Sequence, residues 1–335
     1  MDEKDSKNNP LHGGLLKISD KLRRLERKLR RKEKPEDDPD VKTADYSDEQ
    51  LCRDLSGRIG RLLRLLPGPG RKREQPAPVP AEEAWKATGE SVVGLAHRRG
   101  TTPLPCQDAH AIGNKSRLIL AVCDGAGSAA LSELGARRLS EGTVRLLTSL
   151  EPLLRALLDQ NLTCVTEHIL AEMVHRHAAG QLRDLAAEFR RAPGDFKTTL
   201  LLFVSGVKFG FWLKVGDGEI VEEKKNRLFR IGTSYKGEYS NETVFIDGQL
   251  RFEQVQYGLR DMKNVTGLAL MTDGAAERLV SYDGRNIAGR LSDYFQKLRG
   301  EKLSREDLYK FFTDPGAWTG TTQDDKTLVL GARKI

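Results

Sequence analysis

Short apolar runs decide what this chain can build. Residues 117–123 (RLILAVC), 198–205, 208–215, 267–271 and 326–330 are each five to eight residues long. That length suits a β-strand and is short for a buried helix. Gly206, between the second and third runs, reads as a hairpin turn. Residues 91–96 begin a further strand and 218–222 another. Leu/Ala-rich stretches at 131–150 and 151–191 read as helices, the second as one or two. Strands come in groups and the long helices cluster between them, which argues for an α+β fold over strict βαβ alternation. No internal repeat is present.

The first 90 residues differ. They hold eight of the 13 prolines. Residues 1–66 read as a basic, amphipathic arm, partly helical or disordered. Leu15, Ile18, Leu22, Leu25 and Leu29 form a short heptad seam, flanked by eight Lys and Arg against a single Glu26. A capping box at Ser47–Gln50 opens a second periodic piece. Residues 67–90, rich in Pro and Gly, read as a linker. Residues 91–335 are ample for one large core. The first reading of the arm is a solvated, partly helical extension without chemistry; the alternatives are docking to a partner helix or self-association through the leucine seam, and binding of anionic lipid or nucleic acid by its basic face. Hydrophobic residues make up only 38% of the chain, in keeping with a segment outside the core.

Several classes are excluded at this stage. No stretch approaches the roughly 18 uninterrupted apolar residues of a membrane span. The N-terminus lacks the apolar run of a secretory signal. Cys52, Cys106, Cys123 and Cys164 form no C-x-x-C pair, so reduced thiols in a cytoplasm are expected rather than disulfides or a zinc site. A net charge of +7 over 335 residues does not mark a nucleic-acid binder.

Aspartates punctuate the apolar runs. Asp124 follows LILAVC and precedes Gly125. Asp273 follows LALMT and precedes Gly274. Asp324, with Asp325 beside it, precedes KTLVL. Asp108 stands just before Ala109-His-Ala-Ile, and Asp217 lies between Gly216 and Gly218. Strand ends hold side chains rigidly at a sheet rim. Carboxylates gathered there repel one another unless a hard divalent cation neutralises them. The competing reading is local: Asp-Gly is a common turn dipeptide.

Six short motifs in sequence order carry a resemblance. Gly94–His97 with Pro105–Asp108, Val122–Ser128, Lys197–Leu200, Val215–Asp217, Met271–Gly274 and Asp324–Leu328 resemble the bacterial type 2C (PPM-type) metal-dependent serine/threonine protein phosphatases over residues 91–335. The resemblance implies a two-sheet antiparallel β-sandwich flanked by α-helices, with the site in a cleft at one end. It implies two Mn²⁺ or Mg²⁺ ions. Asp124 would bridge them, the Gly125 carbonyl would bind one, and Asp273 and Asp324 would complete the other's shell. Asp108 would act on the pair through water, and Asp217 with Asp273 would hold a looser third ion. A hydroxide bridging the metals would attack phosphoserine or phosphothreonine in line. A phosphoprotein substrate and a companion Ser/Thr kinase are implied with it.

Departures from that pattern define the rivals. Ala126 stands where many relatives have His, and Pro103 where many have a phosphate-gripping Arg; Arg98 or Arg99 is the expected substitute. Gln107 is neutral where some have Glu. His97 and His110 read as structural residues. These losses keep alive a pseudophosphatase that only binds phosphoprotein, and a hydrolase of small phosphate esters.

Overall fold

The computed structural model describes residues 85–98, 103–159, 165–233 and 243–334. The proposed arm and residues 67–84 of the linker lie outside them. Ten strands form two antiparallel five-stranded sheets. The first sheet has the order β1 (Lys86–Val92), β10 (Lys326–Ala332), β9 (Val265–Met271), β6 (Glu219–Lys224), β7 (Arg227–Ile231). The second runs β2 (Asp108–Asn114), β3 (Leu118–Asp124), β4 (Leu200–Val204), β5 (Phe209–Val215), β8 (Gln256–Asp261). Among the described residues seven α-helices accompany them: α1 (Leu95–Arg98), α2 (Ser132–Ser149), α3 (Glu151–Leu158), α4 (Val165–Phe189), α5 (Asp273–Ala276), α6 (Arg290–Arg299) and α7 (Arg305–Thr313). The expected sandwich is therefore what the chain builds.

The apolar runs became strands because both of their faces are covered. Along β3, Leu118, Leu120 and Val122 face the other sheet and, with Phe203 of the neighbouring β4, share one cluster with its Leu268, Leu270 and Val329. The alternate residues Ile119, Ala121 and Cys123 are equally buried, since α2 packs on β2 and β3. A strand buried on both faces loses the apolar–polar alternation and reads as a continuous run. The outer face of the first sheet is covered in the same way. Ala269, Met271, Leu328 and Leu330 meet Leu291, Phe295 and Leu298 of α6 and Leu308 and Phe312 of α7.

Phe203 lies wholly buried between the sheets. Phe203→Ala is expected to cost about 3–5 kcal/mol, as a cavity is left that rigid strands cannot fill. Urea denaturation followed by circular dichroism checks it.

Some elements depart from the sequence reading. β1 starts at Lys86, five residues ahead of the expected strand and inside the stretch read as linker; residues 95–98 turn into α1 instead of continuing it. Strands β2, β7 and β8 and helices α6 and α7 had no sequence assignment. No helix among the described residues is long and apolar enough to cross a membrane.

Candidate metal centre

The aspartates meet at one end of the sandwich. Asp124 closes β3 and pairs directly with Asp108, the first residue of β2. Asp273 opens α5 just past the end of β9. Asp217 sits in the turn between β5 and β6, where Gly216 adopts a φ of +111° that an L side chain resists. Asp324 and Asp325 lead into β10. A cavity of about 150 Å³ is lined by Asp124, Asp217, Asp273, Asp324, Asp325 and His97, with Gly125, Gln107 and Thr243. No Lys or Arg is among its lining residues.

Threonines fix the two aspartates nearest the sheets. Thr199 Oγ1 accepts the Asp124 N–H at 2.8 Å, and Thr198 Oγ1 donates to the Asp124 carbonyl at 2.7 Å. The Lys197 carbonyl accepts the Ala126 N–H, and the Gln107 carbonyl accepts the Gly125 N–H. So the Lys-Thr-Thr motif holds the backbone of Asp124–Ala126 in place. On the other sheet, Thr272 Oγ1 donates to Asp108 Oδ2 at 2.8 Å and accepts the Thr327 N–H at 3.0 Å. Asp217 accepts from Thr243 Oγ1 at 2.6 Å.

The adjacent aspartates of the doublet have different jobs. Asp325 is buried, with its side chain 3% exposed. Its Oδ1 accepts the Gly94 N–H and its Oδ2 the Gln107 N–H, each at 2.6 Å. His97 Nδ1 lies 3.0 Å from the same Oδ1. Asp325 thus staples Gly94 and Gln107 to the start of β10. The Asp324 side chain is 48% exposed and accepts the Asp325 N–H at 2.8 Å, facing the cavity. Of the two, Asp324 has the coordination capacity to spare.

Crowding shows in the titration of these groups. Desolvation, then the charges of Asp108 and Asp273, hold Asp124 well above the ordinary carboxylate range. Asp273 is pushed up to about 6 by desolvation and by Asp217. Desolvation and Asp325 raise Asp108. Burial also raises the Cys106 and Cys123 thiols, so neither is a reactive thiolate.

Arg98, one of the two expected phosphate grips, is not among the residues that line this cavity. Arg98 instead lines the neighbouring cleft with Trp318, Phe312 and Lys326; Arg99 lies outside the described residues. His110 is also apart: its Nδ1 lies 2.7 Å from Ser91 Oγ. Sequence reasoning missed Asp325 as a staple, Thr198, Thr199 and Thr272 as braces, and His97 as a lining residue. The Asp-Asp doublet and the Thr-Thr pair were the available signals.

The sequence matches the family description "Protein phosphatase 2C" over residues 93–313. No curated protein matches it. Among solved structures the fold is similar to a bacterial serine phosphatase carrying a single substitution. That match has 15% identity and a TM-score of 0.50, and covers 74% of this chain and 97% of the other. It is similar also to the serine/threonine phosphatase Stp1 from Staphylococcus aureus. There the identity is 12%, the TM-score 0.50, and the cover 78% of this chain and 100% of the other. At these identities the likeness is one of fold.

Proposed function

The chain belongs to the protein phosphatase 2C family, and from that premise we propose that it is a metal-dependent hydrolase of phosphoserine and phosphothreonine in proteins. One observation carries the reading: Asp124, Asp217, Asp273 and Asp324 converge on a single cavity with no Lys or Arg among its described lining residues. Carboxylates placed so close need a counter-charge, and oxygen donors suit Mg²⁺ and Mn²⁺. The raised titration of Asp124 and Asp273 expresses the same need.

In this reading Asp124, the Gly125 carbonyl, Asp273 and Asp324 hold two ions. Asp217 with Asp273 holds a third more loosely. Asp108, tied to Thr272, acts from behind through water. When bound, the ions supply a water that loses its proton near neutral pH and offset the charge of the phosphoryl group. The chain's own contribution is placement: the Thr198–Thr199 brace sets the Asp124 carboxylate, and the Asp325 staple sets Asp324. A phosphoprotein substrate made by a Ser/Thr kinase, a cytoplasmic location and a partner at residues 1–66 complete the proposal. The unpaired Cys106 and Cys123 are compatible with a reducing compartment.

The test is hydrolysis of phosphoserine and phosphothreonine peptides by the full chain, beside p-nitrophenyl phosphate. Turnover with Mn²⁺ or Mg²⁺ is expected, abolished by EDTA, with the higher kcat/KM on peptide. A preference for the small ester would make the chain a small-ester hydrolase. No turnover by folded, metal-loaded protein would make it a phosphoprotein-binding module.

A further inference from the structure

His97 faces the aspartates of the acidic cavity. Its side chain is 16% exposed and lines the acidic cavity. Its Nδ1 lies 3.0 Å from Asp325 Oδ1. That carboxylate already accepts two backbone N–H groups, from Gly94 and Gln107. An oxygen surrounded by donors is an acceptor, so the proton of the His97–Asp325 contact sits on Nδ1. The lone pair of a neutral His97 is then on Nε2. That atom lies 3.8 Å from Asp324 Oδ1, too far for a hydrogen bond. Two donors each about 2.1 Å from one ion stand roughly 3–4 Å apart. Donor atoms of His97, Asp324 and Asp325 all lie within 4.8 Å of one another. A carboxylate that orients a histidine through one ring nitrogen, leaving the other for a metal, is a recurring arrangement.

We propose that His97 is a nitrogen ligand of the metal centre, sharing an ion with Asp324 and oriented by Asp325. The proposal rests on the metal-centre reading above and adds to it a donor of a different chemical kind. Imidazole is a softer donor than carboxylate and favours transition ions over Mg²⁺. The centre of this chain is therefore biased toward Mn²⁺. Asp325 acts as a positioning residue: its oxygens are committed to the Gly94 and Gln107 amides, and its effect on the Mn²⁺ preference runs through His97.

Pulsed EPR of the full chain loaded with Mn²⁺ tests this without reference to turnover. The expected result is nitrogen modulation from a coordinated imidazole in the wild-type spectrum. His97→Gln should bind Mn²⁺ without that modulation. Its preference for Mn²⁺ over Mg²⁺, measured by competition, should fall about tenfold. Asp325→Asn, which keeps the shape but weakens the hold on Nδ1, should reduce the same preference. Bound Mn²⁺ with no nitrogen modulation in the wild type would overturn the proposal and leave the carboxylate centre standing. An unchanged Mn²⁺ to Mg²⁺ preference in folded His97→Gln would also overturn it. Failure of the wild type to bind Mn²⁺ at all would overturn this proposal and the metal reading together.

Discussion

Asp124→Asn is expected to abolish phosphatase activity and yet to stabilise the metal-free protein. The two effects have one cause. Asp124 faces Asp108 across the β2–β3 pair and is crowded by Asp273 and Asp217. Without cations its charge is opposed from three sides. With cations it is the bridging ligand of the proposed centre, and an amide cannot replace its charge. Turnover on a phosphopeptide should fall by at least about 10³-fold. Melting of the EDTA-treated variant should occur a few degrees above EDTA-treated wild type, about 2–4 °C per kcal/mol relieved.

The pH dependence follows with a definite sign. Asp273 has its folded value raised from 3.8 to about 6. A group raised in the folded state favours folding most below its unfolded value, and that advantage is lost as pH rises through the folded value. Metal-free wild type should therefore lose stability between about pH 4 and above 6. Asp273 withdraws up to about 3 kcal/mol over that range. Asp124 and Asp108 act in the same direction. Saturating Mn²⁺ should flatten the profile, because the ion favours the charged carboxylates. Melts at pH 5 and 7.5, with EDTA and with Mn²⁺, measure it. Equal slopes in both conditions would contradict a cation at this site.

Gly94→Ala is expected to be nearly as damaging to activity, although residue 94 carries no chemistry. A Cβ there would lie 2.3 Å from the Gln323 carbonyl oxygen and 2.3 Å from the Asp324 carbonyl carbon. From the other side, a Cβ on Gly274 would lie 2.2 Å from the Asp325 carbonyl oxygen. The segment 323–325 is thus clamped between two glycines that have no room for a methyl group. An added carbon must push Asp324 out of place and strain the Gly94–Asp325 hydrogen bond. Overpacking of this kind costs about 1–3 kcal/mol. A ligand moved by about 1 Å loses on the order of 10²-fold in rate. Gly180→Ala is the control. Gly180 lies within α4 with nothing near its virtual Cβ, so alanine there should stabilise by up to about 1 kcal/mol.

The central strands were legible in the sequence because burial on both faces made them unbroken apolar runs. The edges were not. In β7 exposed and half-buried positions alternate, with Arg227 and Phe229 outward and only Ile231 buried. Its turn, Lys225-Asn226, takes φ of +52° and +59°, the geometry of a type I′ hairpin, without the glycine that usually marks one. β8 is a half-buried edge strand, QYGLRD, with little apolar signal. Helix α7 is announced by a capping box from Ser304 to Asp307, a cue that went unread beside the apolar runs.

The candidate site was legible as residue types and not as roles. Asp124, Asp217, Asp273 and Asp324 do line one cavity. The division of labour inside Asp324-Asp325 depends on which oxygens the Gly94 and Gln107 amides occupy, and those residues lie more than 200 positions away. Arg98 was expected to serve the phosphate because it is near in sequence. The short helix α1 turns it toward the Trp318 cleft and leaves His97 toward the aspartates.

The most direct measurement is an anomalous difference map from crystals of the full chain soaked in Mn²⁺, collected on the low-energy side of the iron edge where manganese scatters anomalously. The account predicts two strong peaks in the cavity, with Asp124 ligating both and Asp273 and Asp324 completing the shell of one. A cavity without peaks at saturating Mn²⁺, or peaks that Asp124 does not touch, would contradict it.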